Sequence, residues 1–328
     1  MWQQLARFID GHERFVLTTH VNPEGDAIGS EMALRLYLES RNKSVTIVNS
    51  SPTPANCAFL DPAGIIREYP AQYEPSILET ADAVIILDVN GWIQLGEFSK
   101  EIQECSKPRA CIDHHQGMED CFADVTVSDI TAASAGMLVY EFIKAAGGEI
   151  TPGIAEAVYA SLITDTGTFR FTNTDERAFR TAAELCAAGA DPFEIHRLIF
   201  ANRSWQAAHL LGPVLNTLES AANGRLAWIH MTQKLRKDLG ARYEDSDGMI
   251  DLVRAIKGVE LCLFFKEADN GSIKVSLRSN GRVDAYKIAR KHGGGGHRMA
   301  AGITLEGDME DVIGTVISDA LAVEELRG

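Results

Sequence analysis

The run Phe15-Val16-Leu17-Thr18-Thr19-His20-Val21-Asn22-Pro23-Glu24-Gly25-Asp26, continued by Ala27-Ile28-Gly29-Ser30, decides how the first half of the chain is read. Five residues suited to a strand lead at once into His20. A loop marked by Pro23 and Gly25 follows, then a helical stretch from Ala27 to Glu39. The pattern recurs. Val45–Val48, Ala83–Leu87 and Ala110–Ile112 read as short, continuously apolar strands, and helices are expected over Ala135–Ala145, Ile154–Leu162 and Asp175–Ala187. Apolar strands between helices predict an α/β fold with a mainly parallel sheet covered on both faces.

The acids and histidines fall at regular places in this pattern. His20 follows the first strand, Asp88 closes Ala83–Leu87, Asp113-His114-His115 close Ala110–Ile112, and Asp165 closes the segment Ala160–Thr164. Parallel strands would bring these ends to one edge, where open α/β sheets place their sites. With Glu24 and Asp26 added, the edge would repel itself unless divalent cations neutralised it. Carboxylate oxygen and imidazole nitrogen suit Mn²⁺, with Mg²⁺, Fe²⁺ and Co²⁺ as other candidates. The absence of thiolate ligands argues against structural zinc. Asp88 is the candidate to bridge two ions ~3.5–4 Å apart. A lone acid after a strand caps a turn or a helix as readily as it binds a metal, so the constellation carries the inference.

At 328 residues the chain is expected to form two domains. Gly189 and Pro192 punctuate a boundary, giving residues 1–195 as one domain, 196–215 as a linker and 216–328 as the other. Strands expected at Leu226–Ile229, Glu260–Phe265, Ile273–Leu277 and Gly302–Leu305, with helices over Met249–Ala255 and Met309–Ala322, describe a smaller α/β domain, with substrate expected in a cleft between the two. Within it, Lys274 to Arg298 holds seven Lys or Arg residues against one acid, Asp284, in a chain of net charge −15. This basic segment is suited to a small anion. Arg278 would act as a bidentate fork beside Ser279. The Gly293–Gly296 run, through Gly295 and Gly296, would let backbone N–H groups approach, with His297 and Arg298 as further donors. A long duplex nucleic acid would be repelled by the overall charge.

Composition (45% hydrophobic, 23% charged) is that of a globular protein. No apolar run approaches the ~20 residues of a membrane span, and the first ten residues do not read as a signal peptide. Six cysteines without a Cys-x-x-Cys pair are expected as reduced thiols, and the expected location is the cytoplasm.

Asp113-His114-His115 resembles the signature triplet of the DHH phosphoesterase superfamily. His20-x-x-x-Glu24-x-Asp26-Ala27-Ile28-Gly29-Ser30 resembles its first motif, Asp88 its second, and Asp165-Thr166-Gly167-Thr168-Phe169 its fourth. Gly293-Gly294-Gly295-Gly296-His297 is similar to the hallmark of the DHH-associated C-terminal domain. Length and motif spacing look most like the branch that degrades short oligoribonucleotides and dephosphorylates 3′-phosphoadenosine 5′-phosphate. The resemblance implies two Mn²⁺ sites, one from His20, Glu24 and Asp88, the other from Asp26, Asp88, His114 and Asp165. It implies that His115 faces the scissile phosphate and that Asp113 orients an imidazole. It also admits a homodimer. Glu24 stands where the family usually has Asp, which predicts altered geometry or metal preference at the first site. A phosphodiesterase for cyclic or linear dinucleotides is the near alternative. A pyrophosphatase fits less well, because the Gly-rich motif replaces that branch's Lys/Arg-rich one. A non-catalytic nucleotide sensor would not need the acids.

Overall fold

A computed structural model describes residues 1–117, 122–296 and 298–326. It divides into two compact units, residues 1–202 and 203–328. The stretch expected as a linker holds the end of one helix of the first unit and all of a helix of the second.

The first unit is built on six strands: β1 (Arg14–Thr18), β2 (Ser44–Asn49), β3 (Arg67–Glu68), β4 (Ala83–Leu87), β5 (Arg109–Asp113) and β6 (Val125–Ser128). Its helices are α1 (Trp2–Asp10), α2 (Gly25–Ser40), α3 (Ser76–Thr80), α4 (Phe98–Glu104), α5 (Ala135–Ala145), α6 (Pro152–Asp165), α7 (Glu176–Ala187) and α8 (Pro192–Phe200). All strand pairs are parallel, in the order β3-β2-β1-β4-β5-β6. This is a doubly wound sheet, and its order reverses between β1 and β4, the crevice where such sheets bind ligands. The apolar strands are explained by two-sided burial. Phe15, Leu17, Ile85 and Leu87 join one core with α2, α5 and α6, while Val16, Val84 and Ile86 join the other with Leu78, Phe98 and Ile102.

Two further contacts fix the functional edge. Register pairs Thr18 with Ile86, Leu87 with Ile112 and Asp113 with Ser128, so the residues just beyond these strands stand side by side. α2 lies hard against α6. A Cβ on Gly29 would stand 2.3 Å from the Ala157 carbonyl oxygen, so no side chain fits there without moving a helix. That closeness brings the start of α2, with Asp26, to the end of α6, with Asp165.

The second unit holds α9 (Trp205–Leu215), α10 (Gln233–Asp238), α11 (Met249–Arg254), α12 (Ala285–Lys291) and α13 (Met309–Leu321). Its strands are β7 (Glu219–Ala221), β8 (Leu226–Met231), β9 (Leu261–Glu267), β10 (Ile273–Ser279), β11 (Gly295–Gly296) and β12 (Ala300–Leu305), in the order β11-β12-β10-β9-β8-β7. Only β8 and β9 pair in parallel. Ile273, Val275 and Leu277 pack with residues of α12 and α13. On the other face α9 and α11 cover β8 and β9, while Lys274, Ser276 and Arg278 are left partly or fully exposed.

Candidate metal centre

His20, Asp88, Asp113, His114 and His115 stand at the carboxyl ends of β1, β4 and β5, as the sequence predicts. Asp165 does not end a strand. It is the last residue of α6, and the apolar run before it is a buried helix, which a short apolar segment resembles equally well.

Asp26 lies in the first turn of α2, 3% exposed. Its Oδ1 accepts from Ser161 Oγ (2.7 Å), Ser30 Oγ (3.1 Å) and Gly136 N (3.1 Å), and its Oδ2 from Ala135 N (2.9 Å). The last two donors begin α5, whose N-terminus favours a carboxylate. Burial and the nearby Asp88 nonetheless raise the Asp26 carboxyl. Asp88 takes a left-handed backbone, φ 59°, unusual outside glycine and a source of strain that functional sites tolerate. His20 Nε2 lies 3.3 Å from Asp88 Oδ2, and His20 Nδ1 is spent on the Val21 carbonyl at 2.9 Å. His114 Nδ1 is spent likewise on Ala132 O at 3.2 Å. Its Nε2 stands 3.4 Å from Asp26 Oδ2, 3.4 Å from Asp88 Oδ1 and 3.7 Å from Asp165 Oδ2.

His114 therefore presents Nε2 to a space lined by three carboxylates, and His20 presents its Nε2 to Asp88. Burial works against their charge. The hydrogen bond and charge of Asp88 outweigh it, lifting His20 to about 9, and Asp88, Asp26 and Asp165 together lift His114 to about 10. Burial and the neighbouring Asp26 raise Asp165 to about 7, and Asn173 donates to its Oδ2 at 3.1 Å. Asp88 is also penalised by burial, yet His114 and His20 hold it below the usual carboxylate range.

A divalent cation fits this donor set. His114 Nε2 and Asp88 Oδ1 are buried and make no hydrogen bond among the described residues, although only 3.4 Å apart. They point into shared space rather than at each other. Possible ligand atoms of Asp26, His114 and Asp165 lie within 4.8 Å of one another, as do those of Asp88, His114 and His115. His115 Nδ1 is already engaged, 2.8 Å from Asp113 Oδ1, while the His115 N–H donates to Asp113 Oδ2 at 3.1 Å. We read this pair as a clamp that orients the His115 ring rather than as a metal ligand. Burial opposes His115's charge, but Asp113 overcomes it and raises the imidazole.

Glu24 stands apart from both groups. It is exposed, precedes α2 and makes no side-chain capping bond. Sequence reasoning missed Glu31 and Asn49, which are fully buried behind this edge. Burial raises the Glu31 carboxyl to about 8. Their signal was an acid at an inward helical position and an amide ending an apolar strand.

In the second unit Arg278 lies on the partly open face of β10. Ser279 does not share that face. Strand alternation turns it to the buried side, fully enclosed, and its hydroxyl accepts the Gly281 N–H at 3.0 Å. It supports the following turn, and period two puts Ser276 rather than Ser279 on the same face as Arg278. The expected glycine turn contains a short strand, β11, pairing Gly295 with Gly302 and Gly296 with Ala301. A Cβ on Gly294 would stand 2.2 Å from Gly302 O, and one on Gly296 2.5 Å from Ala300 O, so packing of the chain on itself explains both. Gly295 meets nothing within 4 Å, which leaves its backbone open to a ligand. His297 lies outside the described residues.

Comparisons with known proteins match both halves of the chain to known families. The DHH family N-terminal domain matches residues 14–162, and the DHHA1 domain matches residues 230–322. A bifunctional oligoribonuclease and PAP phosphatase NrnA of Thermus thermophilus is 34% identical over 299 residues, covering 89% of this chain and 84% of the relative. The Bacillus subtilis protein of the same description is 26% identical over 312 residues, 93% of each. An exopolyphosphatase-related protein from Bacteroides fragilis, 27% identical, superposes with a TM-score of 0.94 over 100% of this chain and 97% of its own.

Proposed function

Because the chain belongs to the DHH family of phosphoesterases, we propose that its acidic centre holds two Mn²⁺ ions and hydrolyses short oligoribonucleotides to mononucleotides, and 3′-phosphoadenosine 5′-phosphate to AMP and phosphate. The observation that carries the reading is the convergence of Asp26, Asp88, Asp165, His20 and His114, with His114 Nε2 and Asp88 Oδ1 buried and unbonded among the described residues. One ion would be held by His20 and Asp88 with the exposed Glu24, the other by Asp26, Asp88, His114 and Asp165. Mn²⁺ is favoured over softer ions because every proposed donor is oxygen or imidazole nitrogen. When bound, the ions supply Lewis acidity, activating water near neutral pH and offsetting charge on phosphoryl oxygens.

The chain's own groups do the rest. His115, clamped by both oxygens of Asp113, keeps its proton on Nδ1 and offers a positively biased ring to the scissile phosphate. Arg278, Gly295 and His297 would hold a second, non-reacting phosphate. Short substrates suit this chain because its net charge of −15 repels a long polyanion. The relatives named for oligoribonuclease and PAP phosphatase activity support this choice. Cys57, Cys105, Cys111, Cys186 and Cys262 are free thiols, as suits a cytoplasmic enzyme. Among the described residues no helix is long and apolar enough to cross a membrane.

The test is release of AMP and inorganic phosphate from 3′-phosphoadenosine 5′-phosphate, and of AMP from a diadenylate, by metal-stripped protein with and without Mn²⁺. Mn²⁺-dependent products are expected from both. Nucleotide binding without turnover at saturating Mn²⁺ would refute the assignment.

A further inference from the structure

Behind His20 and Asp88 runs a fully buried chain of polar groups. Asn49, the last residue of β2, accepts the Thr19 N–H on Oδ1 at 3.2 Å and donates through Nδ2 to Glu31 Oε2 at 2.9 Å. Thr19 Oγ1 donates to the Leu87 carbonyl at 2.8 Å. Thr19, Glu31 and Asn49 are each 0% exposed. The chain thus crosses from α2 through β2 and β1 to β4, and its two ends at the sheet edge are the residues immediately before His20 and Asp88.

The parallel pairing of β1 with β2 ends at Leu17 and Ile47, so Thr19 N–H lies beyond the ladder and takes a side chain as acceptor. That explains Asn49. It does not explain Glu31. A buried carboxyl is costly, and Glu31 Oε1 has no hydrogen-bond partner among the described residues. Packing alone does not call for it, because replacing the whole buried Glu31–Asn49 pair with apolar groups of similar size is often neutral or stabilising. A costly acid kept beside a metal centre, and joined to it by an unbroken hydrogen-bond path, points to a task at that centre.

We propose that Glu31 and Asn49 are positioning residues: through Thr19 they fix the ends of β1 and β4, and so set how His20 stands against Asp88. The inference rests on His20 and Asp88 binding metal. Residues that orient ligands from behind typically change metal affinity or activity about 10–100-fold when removed.

The test uses the full chain, metal-stripped, with Mn²⁺ binding followed by the electron paramagnetic resonance signal of the free ion, beside thermal midpoints and kcat and KM. Glu31→Leu relieves the burial of the carboxyl but leaves Asn49 Nδ2 without its acceptor, so the thermal midpoint of the metal-free protein is expected to fall only modestly. The variant should nevertheless lose about 10–100-fold in Mn²⁺ affinity and lower kcat at limiting Mn²⁺, with KM unchanged. Glu31→Gln retains an oxygen for Asn49 and should restore affinity. A purely structural role would move stability and affinity together. Parent-like Mn²⁺ affinity in folded Glu31→Leu would overturn the proposal. If that variant failed to fold, Asn49→Leu, which takes the acceptor from the Thr19 N–H, decides in the same way: weakened Mn²⁺ binding supports the path, and parent-like binding refutes it. An unmutated protein that binds no Mn²⁺ would instead overturn the metal reading itself, and this inference with it.

Discussion

Loading the metal-free protein with Mn²⁺ should expel protons, and the structure says how many. His20 and His114 have midpoints at about 9 and about 10, so both are imidazolium at pH 7, balancing Asp26, Asp88 and Asp165. A metal ligand must be neutral imidazole. Asp165, near 7, sheds a further fraction. Each pH unit below a midpoint costs about 1.4 kcal/mol, so removing the two histidine protons at pH 7 takes roughly 7 kcal/mol from the intrinsic metal affinity. Apparent affinity should therefore climb about 100-fold per pH unit between pH 7.5 and 8.5, and somewhat more steeply below 7. Isothermal calorimetry in buffers of different ionisation enthalpy counts the protons directly. Between two and three per chain are expected at pH 7, settling to about two at pH 8. Fewer than one at pH 7 would mean that the imidazoles are neutral before metal arrives, and would refute their role as stand-in cations. The sign for stability follows. Raised histidine midpoints stabilise the metal-free fold fully below about 6.5, and this contribution disappears as pH rises through 9 to 10. Thermal midpoints of metal-free protein should fall over that window, and those of loaded protein should fall much less.

Further expectations concern single residues. Gly29→Ala should destabilise by about 1–3 kcal/mol in urea titrations, by forcing α2 from α6, and should weaken Mn²⁺ binding by parting Asp26 from Asp165. Gly212→Ala, in a helix with nothing near its Cβ position, is the harmless control. Asp113→Asn removes the charge that sustains the His115 proton, so the alkaline limb of the kcat–pH profile should move to lower pH. An unmoved limb would detach His115 from the rate. Arg278→Ala should raise KM about tenfold or more with little change in kcat, since a charged hydrogen bond is worth about 1.5–3 kcal/mol. Ser279→Ala should leave KM alone and lower stability by about 1 kcal/mol, through the lost Gly281 contact.

The sheet was legible because doubly wound strands are buried on both faces, and runs such as Ala83–Leu87 carry that burial in every residue. Strand ends then placed His20, Asp88 and the Asp113–His115 triplet. Reading failed where periodicity is silent. Asp165 sits on a helix buried along nearly all of its length, so the mostly apolar run before it imitates a strand. Ser279 was chosen for adjacency to Arg278, although alternation sends neighbours to opposite faces. β3, β6, β7 and β11 escaped notice because two to four residues at a sheet edge leave little pattern. Glu31 and Asn49 matter through partners 18 and 30 residues distant in the chain, which no local window contains.

Asp26 has a consequence for reading related sequences. Its carboxylate accepts four hydrogen bonds from α2, α5 and α6, so it would be retained as a brace even by a descendant that had lost all turnover. Its presence alone is poor testimony of catalysis. His20 is tied to the fold by fewer hydrogen bonds, its Nδ1 reaching the carbonyl of the next residue and its Nε2 facing Asp88. Decay of activity in a lineage should therefore be written first at His20, while Asp26 persists as a relic of architecture.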